Sequence, residues 1–506
     1  MQRFDPPLST RLSRALAAMI PAAALMLAGC ATSVNPVSGR VDRGLMSEEQ
    51  EIRSGQLIDQ EVRKEYTPYN NPALQAYVNA VGQRLSAQSH RASLPWKFTV
   101  VDSPEINAFA VQGGFIYITR GLLAYLDSEA ELAGVLGHEI GHVTARHGAR
   151  ADRDQKAIAG ATVLGTIIAA AAGYSRAAEL INEYGAPVAQ ASFLLPRSRE
   201  HELQADQLGA EYLQRVNFDP DVMIRVIGVL RAQEVFARDE ARALGRNTDE
   251  TPNWLRTHPS NDQRLADIKR IAAQYTGKYQ DEGRGRYLQA INGMTFGDSR
   301  EHGVTRGQSF YHEPLGFTLR APTNWQFQNA PNELGVLAND MSAAVSMRPS
   351  PQSRGDHNAA IRNLLAPDQG RTEAATINGL RATNFIGSKQ GRSIDATVIT
   401  LGNLDYVFVK MQKAEARGSK TNALRDIVAS FRAMTAADRE NAEPYKLRTV
   451  PLPKSNVPST TPWAELARDV SRIAPHLRNP EAQLRLLNQV YPQGTIAAGQ
   501  LVKVIQ

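Results

Sequence analysis

The run that most constrains this chain is Ser128-Glu-Ala-Glu-Leu-Ala-Gly-Val-Leu-Gly-His-Glu-Ile-Gly-His-Val-Thr-Ala-Arg-His147. Its apolar residues Leu132, Val135, Leu136, Ile140 and Val143 recur at helical spacing, and no proline interrupts them. One helix is therefore expected. Residues four apart share a helix face, so His138 and His142 point the same way, with Glu139 beside them. Two imidazoles and a carboxylate so placed can hold a divalent metal and act on a water bound to it. The competing reading is a surface helix that carries these residues by chance.

A catalytic zinc ion normally has three protein ligands plus water, so a third ligand must come from elsewhere. His147 follows five residues after His142, about 140° around a continuing helix, which suits a capping or supporting histidine better than a ligand. Downstream, Ser198-Arg-Glu-His-Glu-Leu-Gln-Ala-Asp206-Gln-Leu-Gly209 predicts a second helix with Glu202 and Asp206 one turn apart. One of these carboxylates can bind the metal. The other can accept the free imidazole N–H of a ligand histidine and fix its tautomer. Alternatively, both belong to a solvated charged face.

Before the first motif, Trp96 to Val101 reads as a strand, and Ile106 to Thr119 reads as two strands turning at Gly113-Gly114. Asn107, Ala108, Phe109 and Ala110 would form an edge strand to which an extended peptide could add through main-chain bonds. A plain structural hairpin is the other possibility.

Three motifs in order carry a family resemblance: Asn107-Ala-Phe-Ala with Gly-Gly downstream, His138-Glu-x-x-His142-Val, and Ser198-Arg-x-x-Glu202-x-x-Ala-Asp206. Together they resemble the zinc metallopeptidases (gluzincins) that include the CAAX prenyl endopeptidases, the heat-shock protease HtpX and periplasmic proteases of the BepA type. The likeness runs from about Leu45 to Gln274. It departs at Val111-Gln112-Gly113, where the family usually has a proline before the glycines. The resemblance implies one Zn²⁺ per chain held by His138, His142 and Glu202, with Glu139 as general base and Asp206 as the orienting residue. Trp254-Leu-Arg-Thr-His258-Pro-Ser260 also resembles a family element. There His258 would donate to the tetrahedral oxyanion, or bind zinc at rest and block the open position.

The N-terminus points to export. Arg11 and Arg14 precede an apolar run from Ala15 to Ala28, and Leu27-Ala28-Gly29 leads to Cys30. These are the parts of a secretory signal, too short to span a membrane. Cys30 is the only cysteine, so no intrachain disulfide can form. Its setting resembles a bacterial lipobox, which implies acylation at Cys30. With Ala31 following, it implies a lipid-anchored protein on the periplasmic side of a Gram-negative outer membrane. The formal net charge is +6; Arg3, Arg11 and Arg14 exceed Asp5 by two, so the exported part carries +4. That is too slight an excess to imply nucleic acid as a partner.

With 506 residues, 42% hydrophobic and 21% charged, the chain can bury cores in roughly two to four domains. The expected fold class is α+β. A signal peptide at 1–29 and a linker at 30–44 precede a mainly helical zincin-type metalloprotease domain at 45–300 with a small β-hairpin or sheet. A small α+β domain follows at 308–436, then a linker at 437–461. A short C-terminal segment at 462–506 resembles a LysM module and implies contact with peptidoglycan. The apolar run Ala157 to Gly173 reads as a helix or flap near the cleft rather than a span. The expected function is zinc-dependent endopeptidase quality control of unfolded or misassembled periplasmic and outer-membrane polypeptides. The alternative is a non-catalytic or latent assembly factor or chaperone that touches peptidoglycan.

Overall fold

The structure is a computed structural model and describes residues 31–151, 198–243, 258, 262–330, 333–351, 353, 355–416, 418–454 and 462–506. The signal segment, Cys30, the run 157–173 and the 455–461 part of the second linker lie outside these residues. Among the described residues, no helix is long and apolar enough to cross a membrane. The architecture mixes helices and sheets, an α+β fold with a helical first half and a strand-rich second half.

Residues 30–44 were expected to be a linker, yet they hold a hairpin of β1 (Ala31–Val34) and β2 (Val41–Leu45). The turn carries the reason. Asn35 is buried, and its Oδ1 accepts from the backbone N–H groups of Val37 and Ser38, both at 2.9 Å. Such a side-chain turn needs no apolar period, so periodicity misses it. Helix α1 (Glu48–Glu65) opens with a capping box: Ser47 Oγ accepts from Gln50 N at 3.2 Å, and Gln50 Oε1 accepts from Ser47 N at 2.8 Å. Helix α2 (Pro72–Ser86) follows.

Strands β3 (Lys97–Val101), β4 (Ala108–Val111) and β5 (Phe115–Thr119) form a sheet in the order β3-β5-β4. β3 runs parallel to β5 and β4 antiparallel to it, so β4 lies at an edge. Gly113 (φ +84°) and Gly114 (φ +100°) make the expected turn, where a side chain on Gly113 would meet the α1 backbone at Ile52. Helices α3 (Arg120–Tyr125), α4 (Glu129–Thr144), α5 (Arg199–Arg215), α6 (Val222–Ala243), α7 (Asp262–Ala272) and α8 (Arg284–Ile291) complete this half, followed by β6 (Thr295–Phe296).

The chain then leaves this core for a separate one. Strands β7 (Val304–Arg306), β8 (Ser309–His312) and β9 (Phe317–Arg320) begin it. β10 (Trp325–Ala330), β11 (Glu333–Ala338) and β12 (Ala343–Ser350) precede α9 (His357–Leu365). β13 (Gln369–Ile377), β14 (Leu380–Lys389), β15 (Arg392–Leu401) and β16 (Leu404–Gln412) precede α10 (Thr421–Ala429) and β17 (Arg432–Ala433). A seven-stranded antiparallel sheet runs β10-β11-β12-β16-β15-β14-β13, and a four-stranded one runs β17-β9-β8-β7. Their apolar faces and the two helices form cores around Phe408 and Phe385.

The end of the chain differs from the linear reading. The expected linker 437–461 contains most of α11 (Ala436–Asn441) and all of β18 (Tyr445–Pro451). α12 (Pro462–Ile473), α13 (Pro480–Leu487) and β19 (Leu501–Ile505) follow. β18 pairs with both β19 and β6, so the strand-rich region is inserted between two strands of one sheet. The terminal unit shares the hydrophobic core of the helical first half through Trp463, Leu484 and Val504. It is also pinned by polar bonds: Lys503 Nζ, wholly buried, donates to Leu126 O at 2.6 Å, and Gln489 Nε2 donates to Glu131 Oε2 at 2.7 Å. Burial drives the Lys503 pKa down to about 8. Short polar sequences at 437–461 gave no sign of strand pairing because β18 finds its partners 150 residues upstream and 50 downstream, roughly the loop scale at which local pattern is silent.

Candidate metal centre

Helix α4 begins at Ser128, whose Oγ accepts from Glu131 N at 3.1 Å, and every one of its residues is buried. It ends at Thr144 instead of running on to His147. Arg146 takes a left-handed conformation (φ +58°) that reverses the chain. The reversal is held from α1: Glu51 accepts from Arg146 Nε at 3.0 Å and from Arg91 Nη1 at 2.9 Å, while Arg91 also donates to Val143 O at 3.1 Å. His147 therefore swings back onto the helix, its Nδ1 2.8 Å from Nδ1 of His142. The expectation that it continues around the same helix is corrected.

Helix α5 lies directly across α4, and glycine makes the approach close enough. A Cβ on Gly141 would sit 2.8 Å from Ala205 O, and one on Gly209 would sit 3.1 Å from His138 N. This contact sets Glu202 against the paired imidazoles. His138 Nε2 and His142 Nε2 are 3.0 Å apart, and each lies close to Glu202, at 3.5 and 3.4 Å. His258 joins them, with Nδ1 3.2 Å from His138 Nε2 and 3.0 Å from Glu202 Oε2. One donor atom from each of His138, His142, Glu202 and His258 lies within 4.8 Å of the others, and all four residues are buried.

These separations fit a metal. Ligand arms of about 2.0–2.2 Å in a tetrahedron give edges of about 3.3–3.6 Å. The side-chain pairs above span 3.0–3.5 Å. Glu139 adds a second indication: both of its carboxylate oxygens are buried without a hydrogen-bond partner, and His258 Nε2 is 3.5 Å from Oε1. A buried carboxylate left so is costly unless a water or ion meets it.

Asp206 stands where the second carboxylate was expected, with Oδ1 2.8 Å from His138 Nδ1. Arg264 of α7 was not among the expected site residues. It donates through Nε to Asp206 Oδ2 at 2.8 Å and through Nη2 to Asp206 Oδ1 at 2.9 Å, while Nη1 lies 3.0 Å from Glu202 Oε2. One guanidinium thus braces both Glu202 and Asp206. A signal was present: Arg264 occupies a helix face with Ile268 and Ile271, where an arginine must find a buried partner.

The electrostatics follow from this packing. Burial would raise the Glu202 carboxyl, but His258, Arg264 and hydrogen bonds from His138 and His142 hold it well below its ordinary range. Burial opposes charge on His138, yet the bonds to Asp206 and Glu202 prevail and lift it to about 9. Both shifts describe a pocket whose negative charge is waiting for a cation, a proton in its absence.

Asn107, Ala108, Phe109 and Ala110 are all buried, and β4 lies along α4. β4 pairs with β5 on one side and with no other strand among the described residues. Asn107 Oδ1 is buried without a hydrogen-bond partner. The edge is thus present, but its side chains face protein: Phe109 stacks on Tyr117 at 4.9 Å between ring centroids.

A buried helix carrying His-Glu-x-x-His, faced by a glutamate from a second helix, defines the zinc-metallopeptidase class. Residues 72–272 match the peptidase family M48 model. The chain is 34% identical over 232 residues to a beta-barrel assembly-enhancing protease of Yersinia pestis, covering 45% of each chain. It is 35% identical over 228 residues to the protein of the same name in Escherichia coli (strain K12), covering 44% of each. It is 30% identical over 237 residues to a mitochondrial metalloendopeptidase OMA1 of Schizosaccharomyces pombe, covering 46% of this chain and 64% of that one. The chain spans less than half the length of the two bacterial relatives.

Proposed function

We propose that the protein is a zinc-dependent endopeptidase acting on unfolded or misassembled polypeptides at the periplasmic face of a Gram-negative outer membrane. The observation that carries this reading is the convergence of His138, His142 and Glu202 beside a Glu139 carboxylate that has no hydrogen-bond partner. His138, His142 and Glu202 would hold the metal, which supplies an acidified water and a Lewis acid for the scissile carbonyl. Glu139 takes the proton of the attacking water and passes it to the leaving amine. Asp206, braced by Arg264, keeps His138 in the tautomer that turns Nε2 inward. β4 offers an edge to which extended main chain can add, favouring unfolded segments over any one side-chain sequence.

His258 bears on regulation. With it the pocket has four donors, which is the closed arrangement of a structural site. Catalysis needs an open corner, so His258 must withdraw from the cluster, and once withdrawn it can donate to the oxyanion. A resting state of this kind suits the second reading, a latent assembly factor. Anchoring follows from the lipobox-like context of Cys30, and peptidoglycan contact from the terminal unit's LysM resemblance.

The test is digestion of an unfolded polypeptide such as casein by the purified full chain. Cleavage that stops with a zinc chelator and returns with zinc is expected. Cleavage indifferent to chelator would overturn the metal mechanism, and a metal-loaded protein that never cleaves would favour the assembly-factor reading.

A further inference from the structure

Gln204 sits on α5 between Glu202 and Asp206 and is 6% exposed, yet nothing above gives it a task. Its amide orientation is fixed on several sides. Nε2 donates to Glu200 Oε1 at 3.2 Å, whereas Oε1 accepts from Asn35 Nδ2 at 3.1 Å and from Arg150 Nη1 at 3.3 Å. The fourth contact is His147 Nε2, 3.0 Å from the same Oε1. An amide oxygen cannot donate, so His147 Nε2 must carry the hydrogen. In a neutral ring Nδ1 is then an acceptor, and the group facing it at 2.8 Å is Nδ1 of His142. His142 therefore donates through Nδ1, which leaves the lone pair on Nε2, the atom 3.0 Å from His138 Nε2 in the donor cluster. The opposite assignment would put a hydrogen on His142 Nε2 and spoil it as a ligand.

We propose that Asn35, Gln204 and His147 form a hydrogen-bonded chain that fixes the tautomer of His142, so that the N-terminal hairpin completes the metal centre. His147 is thereby a positioning residue. It does for His142 what Asp206 does for His138, with a neutral acceptor in place of a carboxylate. The chain also connects the metal centre to a residue five positions after Cys30, so the segment leading from that cysteine is tied to the geometry of the ligands.

This inference rests on the proposed metal centre, and the experiment separates the two. Zinc dissociation constants are measured by chelator competition on the full chain. The visible spectrum of the cobalt-substituted protein reports ligand geometry. His147→Phe keeps a ring to stack on His201, whose centroid lies 4.2 Å away, but removes the acceptor. His147→Gln restores both an acceptor for His142 and a donor for Gln204. His147→Phe should bind zinc about 10- to 100-fold more weakly with an altered cobalt spectrum, and His147→Gln should return within about threefold of the parent, the scale on which supporting ligands act. Asn35→Leu should weaken binding in the same direction by a smaller factor. Parent-like affinity and spectrum in His147→Phe would overturn the chain, as would a His147→Gln no better than His147→Phe. A parent protein that binds no zinc would instead overturn the metal centre itself.

Discussion

Two buried histidine–carboxylate clusters occur among the described residues, and only one has the makings of a reaction centre. In the strand-rich region His357 and Asp405 are 4% and 0% exposed. Every near neighbour there closes a bond: Asp405 accepts from Thr400 Oγ1 at 2.6 Å, from Ser353 Oγ at 2.5 Å and from Gly355 N at 2.8 Å, and both His357 ring nitrogens lie 2.7 Å from threonine hydroxyls. Burial lowers the His357 pKa, while at Asp405 the hydroxyls and amide outweigh burial and hold the carboxyl below its ordinary range. In the peptidase half the ring nitrogens of His138, His142 and His258 converge on a single point with Glu202, and Glu139 is left without a hydrogen-bond partner. Burial of titratable groups is common to both. What marks a site is donor capacity that the protein itself does not use up.

The sharpest attempt to break this contrast is Glu139→Gln. It should retain zinc and lose about 10²- to 10⁴-fold in the rate of peptide cleavage, the usual share of a general base. Retained cleavage would show that the unpartnered carboxylate is not the base. Next is Gly141→Ala, which places a methyl 2.8 Å from Ala205 O and must push α5 outward. Zinc affinity should fall by about 10- to 100-fold, as when ligand support is lost; isothermal titration would reveal unchanged affinity if the close approach is immaterial.

Proton competition gives a smaller, graded effect. In the metal-free protein the His138 pKa of about 9 exceeds its ordinary 6.5. The protonated ring therefore stabilises the fold fully below about pH 6.5, and this contribution is lost as pH rises through about 9. The Tm of the chelated protein should decline across that window, and zinc affinity should rise across it as the competing proton leaves. A flat profile in Asp206→Asn would assign the effect to this pair. The smallest effect on the site should come from the other cluster: Asp405→Asn should cost about 1–3 kcal/mol of stability through unsatisfied hydroxyls, with zinc content untouched. Loss of metal in that variant would erase the distinction between the clusters.

Much of the centre was legible because it is local. His138, Glu139 and His142 lie on one helix, and Glu202 and Asp206 on another, so spacing alone sets their faces. The reading of Glu202 as the ligand and Asp206 as the support came from family likeness, since spacing leaves the two interchangeable. What escaped depends on tertiary contact. Arg264 meets its carboxylates about 60 residues upstream, a register no periodicity encodes. The return of His147 needs a left-handed Arg146 that α1 holds in place, where a helical projection continues straight on. The hairpin at 31–45 is fixed by one buried asparagine, and β18 by partners in both directions along the chain. Strands β13 and β14 lack apolar alternation because β13 is exposed along most of its length.

The most direct test of the central claim is the metal content of the full chain purified without added metal chelators, alongside Glu202→Ala. The account predicts a single zinc ion bound per parent chain and essentially none in the variant, with both proteins folded. Equal zinc in both would contradict it, because a carboxylate that the metal ignores cannot belong to the centre described.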